Sequence, residues 1–264
     1  MNYSAAPLSK LAVFNQEFPL MKYLLPLAVF FASLFGAVHA EESEEIQQLR
    51  EALKKTMPDL PINSIAESPI PGLLELVTGA QVYYITPNGK YVIEGNIIDV
   101  ERRIDMTQQR KGKTQVKAIN DIGNSKMVVY EPVTGVTQDR EITVFTDATC
   151  GYCRKLHNEI DGLLSQGVRV RYLLYPRAGT ESEAARILES VWCADDPQQA
   201  MTRAKSGQSV SPRNCENPID EHIAMARQVG LQGTPMIFLD NGLVVPGYRP
   251  PDELIRLLVS EPRI

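Results

Sequence analysis

One stretch constrains this chain more than any other: Ile142-Thr143-Val144-Phe145-Thr146-Asp147, followed by Cys150-Gly151-Tyr152-Cys153. The first segment reads as a β-strand. From Cys150 the pattern predicts a helix to about Leu164. Two thiols separated by two residues can close a small disulfide. At a helix N-terminus the first thiol also meets unpaired backbone N–H groups and the positive end of the helix dipole. Both favour thiolate, so its pKa should fall below the free value of about 8.5. Thiolate is the attacking species in disulfide exchange. Cys150 is therefore the expected catalytic nucleophile and Cys153 its redox partner.

The chain has four cysteines, Cys150, Cys153, Cys193 and Cys215, and four allow three pairings. Pairing Cys150 with Cys153 leaves Cys193 with Cys215 as a structural bridge. A bridge closing such a loop contributes roughly 3 kcal/mol on a chain-entropy account. Disulfide use implies an oxidising compartment, and residues 1–40 supply a route to it as a signal peptide. Met21-Lys22 precedes an uncharged apolar run from Leu24 to Val38, and Val38-His39-Ala40 reads as a cleavage site. The run is short of the about 20 apolar residues of a membrane span. Glu17 makes the first 20 residues a poor signal start, so Met21 is a second candidate for the true start. Removing Lys10, Glu17 and Lys22 with the leader leaves 25 basic and 31 acidic side chains, a net charge of −6. That balance, with no basic block, argues against a nucleic-acid partner.

The rest of the chain divides into three. Residues 41–101 read as a small α+β module: a helix over Glu44–Thr56, strands at Leu73–Val77, Gln81–Thr86 and Lys90–Ile93, and a further strand at Asn96–Val100. About 60 residues bury little apolar surface alone, and an open strand edge offers a route to a homodimer. Residues 102–125 are polar and read as a linker, helical from Lys113 to Ile122 and punctuated by Gly112 and Gly123. Residues 126–264 give strands at Met127–Glu131 and Ile142–Asp147, the Cys150 helix and a strand at Val168–Leu174. Helices over Ser182–Ala194 and Pro218–Val229 follow, then strands at Met236–Asp240 and Leu243–Val245 and a helix over Pro251–Ser260. The sheet should be mixed. A CxxC after an early strand in this order is the thioredoxin-like pattern. The fold class is therefore α+β: an N-terminal dimerisation module, a linker helix and a thioredoxin-like domain with a helical insertion. In such domains the position of Pro235, in Gly233-Thr234-Pro235, carries a cis proline beside CxxC. The backbone of Thr234 would then pair with substrate.

These segments resemble the DsbC/DsbG family of periplasmic thiol:disulfide interchange proteins. The resemblance also rests on Lys155-Leu156-His157, on Val168–Leu173 with Tyr175-Pro176-Arg177, on Trp192-Cys193, and on Val245-Pro246-Gly247-Tyr248 before Pro250-Pro251. It covers essentially the whole mature chain; the polar, slightly longer linker with Gly112 departs from the family pattern. It implies a V-shaped homodimer paired through its N-terminal modules, with two thioredoxin-like domains facing an apolar cleft. It implies a periplasmic isomerase or reductase acting on unfolded or misoxidised exported proteins, with chaperone-like binding. The membrane reductase DsbD would keep CxxC reduced. Tyr152, Thr234 and Pro235 would meet substrate.

Other chemistry fits less well. CxxC is half of a zinc site, and His157 lies one turn beyond Cys153. The chain has three histidines, one of them His39 in the leader, and no second CxxC, so neither a metal nor a cofactor is expected. His157 reads as a partly exposed helix residue, His222 and Trp192 as structural, and Asp147 and Thr149 as loop and N-cap residues. A DsbA-type oxidase is disfavoured by the N-terminal module, since dimerisation can shield CxxC from reoxidation. A DsbG-like reductase of oxidised cysteines and a periplasmic chaperone remain alternatives.

Overall fold

The computed structural model describes residues 42–133, 139–260 and 263–264; the expected leader and cleavage site lie outside them. Helix α1 (Glu44–Thr56) starts at Ser43, whose side chain accepts the Ile46 N–H. Glu44 and Glu45 in its first turn and Lys54 and Lys55 in its last suit the helix dipole. Leu49 and Leu53, four residues apart, are its buried face. They pack on an antiparallel meander of β1 (Ile62–Glu67), β2 (Leu74–Thr78), β3 (Gln81–Ile85) and β4 (Val92–Ile93), ordered β1-β2-β3-β4. Ile65, Leu76 and Ile85 complete that core. Strand β1 was not expected. Only Ile65 of its six residues is buried, so it carries almost no apolar signal.

The expected strand over Asn96–Val100 shrinks to β5 (Ile98–Asp99). It pairs with β6 (Ile104–Asp105) rather than extending the sheet.

The segment read as a loose polar linker is the largest correction. Helix α2 runs Met106–Asn120, seven residues earlier than expected, from an Asp105 cap that accepts the Gln108 N–H. Gly112 does not punctuate it; Gly112 is buried inside it. The segment also contributes to a core: Val116, Ile119 and Ile122 pack with Phe145, Leu173 and Phe238. Its polar residues hold it on both sides. Arg110 pairs with Glu75 of β2 at 2.6 Å. The Gln115 side chain donates to the Val229 carbonyl at 2.8 Å.

The remaining elements are β7 (Val128–Tyr130), β8 (Arg140–Thr146), α3 (Gly151–Asn158), α4 (Ile160–Leu164), β9 (Val168–Leu174), α5 (Glu183–Trp192), α6 (Pro197–Lys205), α7 (Ile219–Gln228), β10 (Met236–Leu239), β11 (Val244–Pro246) and α8 (Pro251–Ser260). The sheet order is β11-β10-β8-β9-β7, with β8 and β9 parallel and the other pairs antiparallel. The expected Cys150–Leu164 helix is interrupted at Glu159, whose backbone leaves the helical region. Helix α6 was missed. Its buried face is Ala200, Met201, Ala204 and Lys205, and small residues with a lysine do not read as apolar. Among the described residues no helix is long and apolar enough to cross a membrane.

Gly112 explains how α2 can lie so close to the sheet. A methyl group there would overlap the carbonyl oxygen of Gly242, in the β10–β11 turn. Gly242 needs its own φ of +88°, and a side chain there would strike Lys113. Gly112→Ala improves helix propensity by about 1 kcal/mol. The backbone clash outweighs that gain, so the protein should lose about 1–3 kcal/mol of unfolding free energy. Proteolysis between residues 100 and 125 should accelerate. Denaturant unfolding with timed proteolysis of both proteins measures this; an unchanged or more stable variant would show that the contact does not constrain the helix.

Candidate active site

Strand β8 delivers the cysteines. Phe145, one residue from its end, pairs with Met236 at the start of β10, so the turn after β8 lies beside the segment before β10. Asp147 fixes that turn. Its buried carboxylate accepts the Thr149 N–H and hydroxyl at 2.6 and 2.7 Å, and the Arg177 N–H and Nε at 2.9 and 3.2 Å. Burial pushes the Asp147 pKa up, but these bonds from Arg177 and Thr149 hold it below the usual value. Asp147 was expected to be an ordinary loop residue. It is a buried anion that also brings Arg177 to the cysteines.

Neither Asp147 nor Thr149 caps α3; Cys150 does. Its Sγ accepts the Cys153 N–H at 3.3 Å. The protonated thiol also donates a hydrogen bond to the Thr234 carbonyl oxygen at 3.3 Å. Thr234-Pro235 is a cis peptide. Both cysteines are free thiols here. The Cys150 thiol is pulled down to about 5. The Cys153 thiol contributes most, and the Thr234 hydroxyl, the Cys153 N–H and the Arg177 charge add to it, while burial opposes them. Cys153 moves the other way. Burial raises it most and its hydrogen bond to Cys150 raises it further, while the charge of Lys205 pulls it back. One thiol ionises readily and its neighbour keeps its proton.

Cys150 is not as open as a helix N-terminus suggests: it is 3% exposed. Tyr152 beside it is 65% exposed. Its ring stacks on Tyr248, with centroids 6.3 Å apart and planes 22° apart. The expected site residues Cys150, Cys153, Tyr152, Thr234 and Pro235 thus lie together at the start of α3. Cys193 and Cys215 lie away from it, bonded to each other with Cα atoms 5.8 Å apart. They tie the end of α5 to the irregular segment before α7.

Lys205 was not foreseen. It is 1% exposed, and its ammonium donates to Thr146 Oγ1 at 2.6 Å and to the Asp147 carbonyl at 2.8 Å. Burial lowers its pKa to about 8, against the pull of the Cys153, Asp147 and Cys150 charges. In the sequence it is one lysine among many, at the end of a helix that gave no signal.

His157 is buried rather than partly exposed. Its Nδ1 pairs with the Tyr172 hydroxyl and its Nε2 with the Thr202 hydroxyl, each at 3.1 Å. Burial, aided by the charge of Lys205, lowers its pKa to about 4. The ring is a neutral structural bridge. His222 is buried too, its Nδ1 accepting the Leu174 N–H.

Comparison with known proteins identifies both parts of the chain. Residues 36–108 match the disulfide bond isomerase protein N-terminal domain, and residues 133–260 match a thioredoxin-like domain. The thiol:disulfide interchange protein DsbC of Dickeya dadantii is 37% identical over 246 residues, covering 90% of this chain and 94% of that protein. The DsbC of Salmonella typhimurium is 36% identical over 239 residues, covering 89% and 94%. A disulfide interchange protein from Neisseria gonorrhoeae superposes with a TM-score of 0.48 at 26% identity, over 54% of this chain and 99% of that one. With both domain models matched in order, and over a third of its residues shared with relatives along nearly their whole length, this chain belongs to the DsbC family of thiol:disulfide interchange proteins.

Proposed function

We propose that this protein is a periplasmic disulfide isomerase that reshuffles wrong bridges in exported proteins. The observation that carries this reading is the asymmetry of the two thiols at one helix terminus. The Cys150 thiolate attacks one sulfur of a substrate disulfide. The substrate S–S bond breaks, a Cys150–substrate bond forms, and the other substrate sulfur leaves as thiolate. Resolution has two routes. A different substrate thiolate can attack the mixed disulfide, closing a new substrate bridge and regenerating the Cys150 thiolate with no net electron transfer. Alternatively the Cys153 thiolate attacks Cys150, leaving a Cys150–Cys153 disulfide and a reduced substrate. That second outcome consumes two electrons, so a membrane thiol reductase, DsbD by family resemblance, would have to reset it. Cys153 keeping its proton slows the second route and favours isomerisation. The backbone at Thr234-Pro235 would hold an extended substrate segment against Cys150. In the assay with scrambled ribonuclease, Cys150→Ser should abolish recovery of activity, and Cys153→Ser should accumulate mixed disulfides on gels. Full recovery with Cys150→Ser would remove the mechanism.

Lys205 would set the balance between the two routes as a positioning residue. Its buried charge favours the Cys153 thiolate, the species needed for release. Removing it raises the pH at which Cys153 ionises, so release should slow and its pH profile should move upward. One pKa unit corresponds to tenfold at a fixed pH below the transition. Lys205→Met should therefore release substrate from a preformed mixed disulfide about tenfold more slowly at pH 7, with Cys150 still reactive. Stopped-flow release rates across pH test this; a uniform slowing with no shift along the pH axis would mean a purely structural lysine.

We further propose that two chains pair through the N-terminal module, whose boundaries we set at 41–101, with 102–125 as linker and 126–264 as catalytic domain. Val92, 50% exposed, and Ile93 lie on β4, the terminal strand of its sheet. Tyr91, Ile98 and Val100 nearby are also exposed. An apolar strand edge left open invites pairing. Val92→Glu should change protomer stability by no more than about 0.5 kcal/mol, as for other exposed sites, yet halve the mass seen by light scattering. Isomerisation should fall while simple thiol reduction continues. A variant that keeps the wild-type mass would exclude this pairing surface.

A further inference from the structure

Tyr248 has no part in the chemistry above, yet it is held in place unusually firmly for a surface aromatic. It lies in the loop between β11 and α8. The preceding residue, Gly247, donates its N–H to the Pro235 carbonyl at 2.9 Å, so the loop is fastened to the cis-proline segment itself. The Tyr248 hydroxyl donates to Glu159 Oε2 at 2.6 Å, at the break between α3 and α4. That acceptor is a carboxylate, and losing the shared proton would set two anions together; the Tyr248 hydroxyl is pushed up to about 12. The Lys155 ammonium sits 4.3 Å from the Tyr248 ring centroid, a cation–π distance. Helix α3 and the residue that follows it thus hold the ring through Lys155 and Glu159, and the cis-proline segment holds the loop that carries it.

The stack on Tyr152 is the contact that gains from the rigidity. Tyr152 stands between the two cysteines and is mostly exposed, so it needs a neighbour to keep one orientation. Tyr248 provides a fixed ring for it, nearly parallel and offset. Tyr152 lies two residues from Cys150 in the chain, and the loop that carries Tyr248 is bonded to Pro235, next to Thr234, whose carbonyl oxygen is 3.3 Å from the Cys150 sulfur. An extended substrate lying along Thr234 turns successive side chains to alternate faces. The residue next to its cysteine is then the one that can reach the two tyrosines.

We propose that Tyr248 and Tyr152 form an aromatic platform that makes the enzyme select unfolded segments carrying an aromatic side chain next to the cysteine under attack. The inference rests on the isomerase reading of the Cys150 site. It assigns Tyr248 a role in substrate choice, with Glu159 and Lys155 as the residues that position it.

The test uses full-length, pre-reduced protein and two disulfide-linked peptides that differ only in the residue before the cysteine, phenylalanine in one and serine in the other. Single-turnover reduction at varied peptide concentration separates half-saturation from limiting rate. The wild type should half-saturate at a lower concentration of the phenylalanine peptide. Tyr248→Ala should cut that preference about three- to tenfold, the range aromatic pairs give. The loss should fall on half-saturation, with the Cys150 thiolate absorbance titrating at its wild-type pH. Tyr248→Phe, which keeps the ring, should retain most of the preference. Tyr152→Ala should lose as much as the double variant, because the rings act together. If Tyr248→Ala does not fold, Tyr152→Ala decides alone, and a preference intact in it overturns the proposal. So does a wild type that shows no preference, or a Tyr248→Ala protein that loses equally on both peptides. A wild type that reduces neither peptide overturns the isomerase reading itself, a result distinct from indiscriminate reduction.

Discussion

The Cys150 sulfur does the work usually left to a serine or aspartate oxygen: it caps a helix. The bond that organises the first turn of α3 is thus also a bond that stabilises the thiolate. The two cannot be separated, and the rest of the site follows from them. Once Cys150 is bonded to another sulfur, its negative charge is gone, and Arg177, still paired with Asp147, has one favourable charge fewer beside it. The dithiol form is favoured by the same contacts that prepare the attack. A protein so arranged gives up a disulfide readily, as expected for a thiol of low pKa.

Around this cap the fold places two buried charges with opposite duties. Asp147 is surrounded by donors and serves as a fixed anion that orients Arg177. Lys205 is a cation with two neutral oxygen acceptors, and the electrostatic pull of nearby groups adds to them. Burying an ammonium this deeply is costly. The cost is understandable where the lysine tempers Cys153, the thiol that burial alone would keep fully protonated.

The sequence made the catalytic half of the molecule legible because its signals are local. Val168–Leu174 and Pro251–Ser260 were read to the residue, since one is a continuous apolar strand and the other opens on a proline with regular helical spacing. The cysteine spacing and Gly233-Thr234-Pro235 marked the place where the two halves of the site meet. What stayed hidden depends on partners distant in sequence. Strand β1 takes its identity from pairing with β2, not from its own composition. The α2 segment seemed too polar for packing because Gln115 and Arg110 spend their polarity on the neighbouring elements. Gly112 read as a breaker because nothing nearby in sequence announces Gly242. Lys205 and Tyr248 matter through contacts 59 and 89 residues away, which no local pattern encodes.

The depth of Cys150 has a consequence for what the protein leaves alone. In the proposed mechanism, a thiolate only 3% exposed would be met most readily by a sulfur carried on a slender, yielding length of chain. A disulfide inside a finished fold is held by packed neighbours and cannot be drawn out to meet it. A bridge that has trapped its chain in a loose, unfinished state can. In the proposed mechanism this burial would act as a gauge of completion: each bridge would be challenged for as long as the chain around it stays slack, and spared once correct packing tightens. The protein needs no record of which pairings are right, because the substrate's own compactness withdraws the right ones from reach.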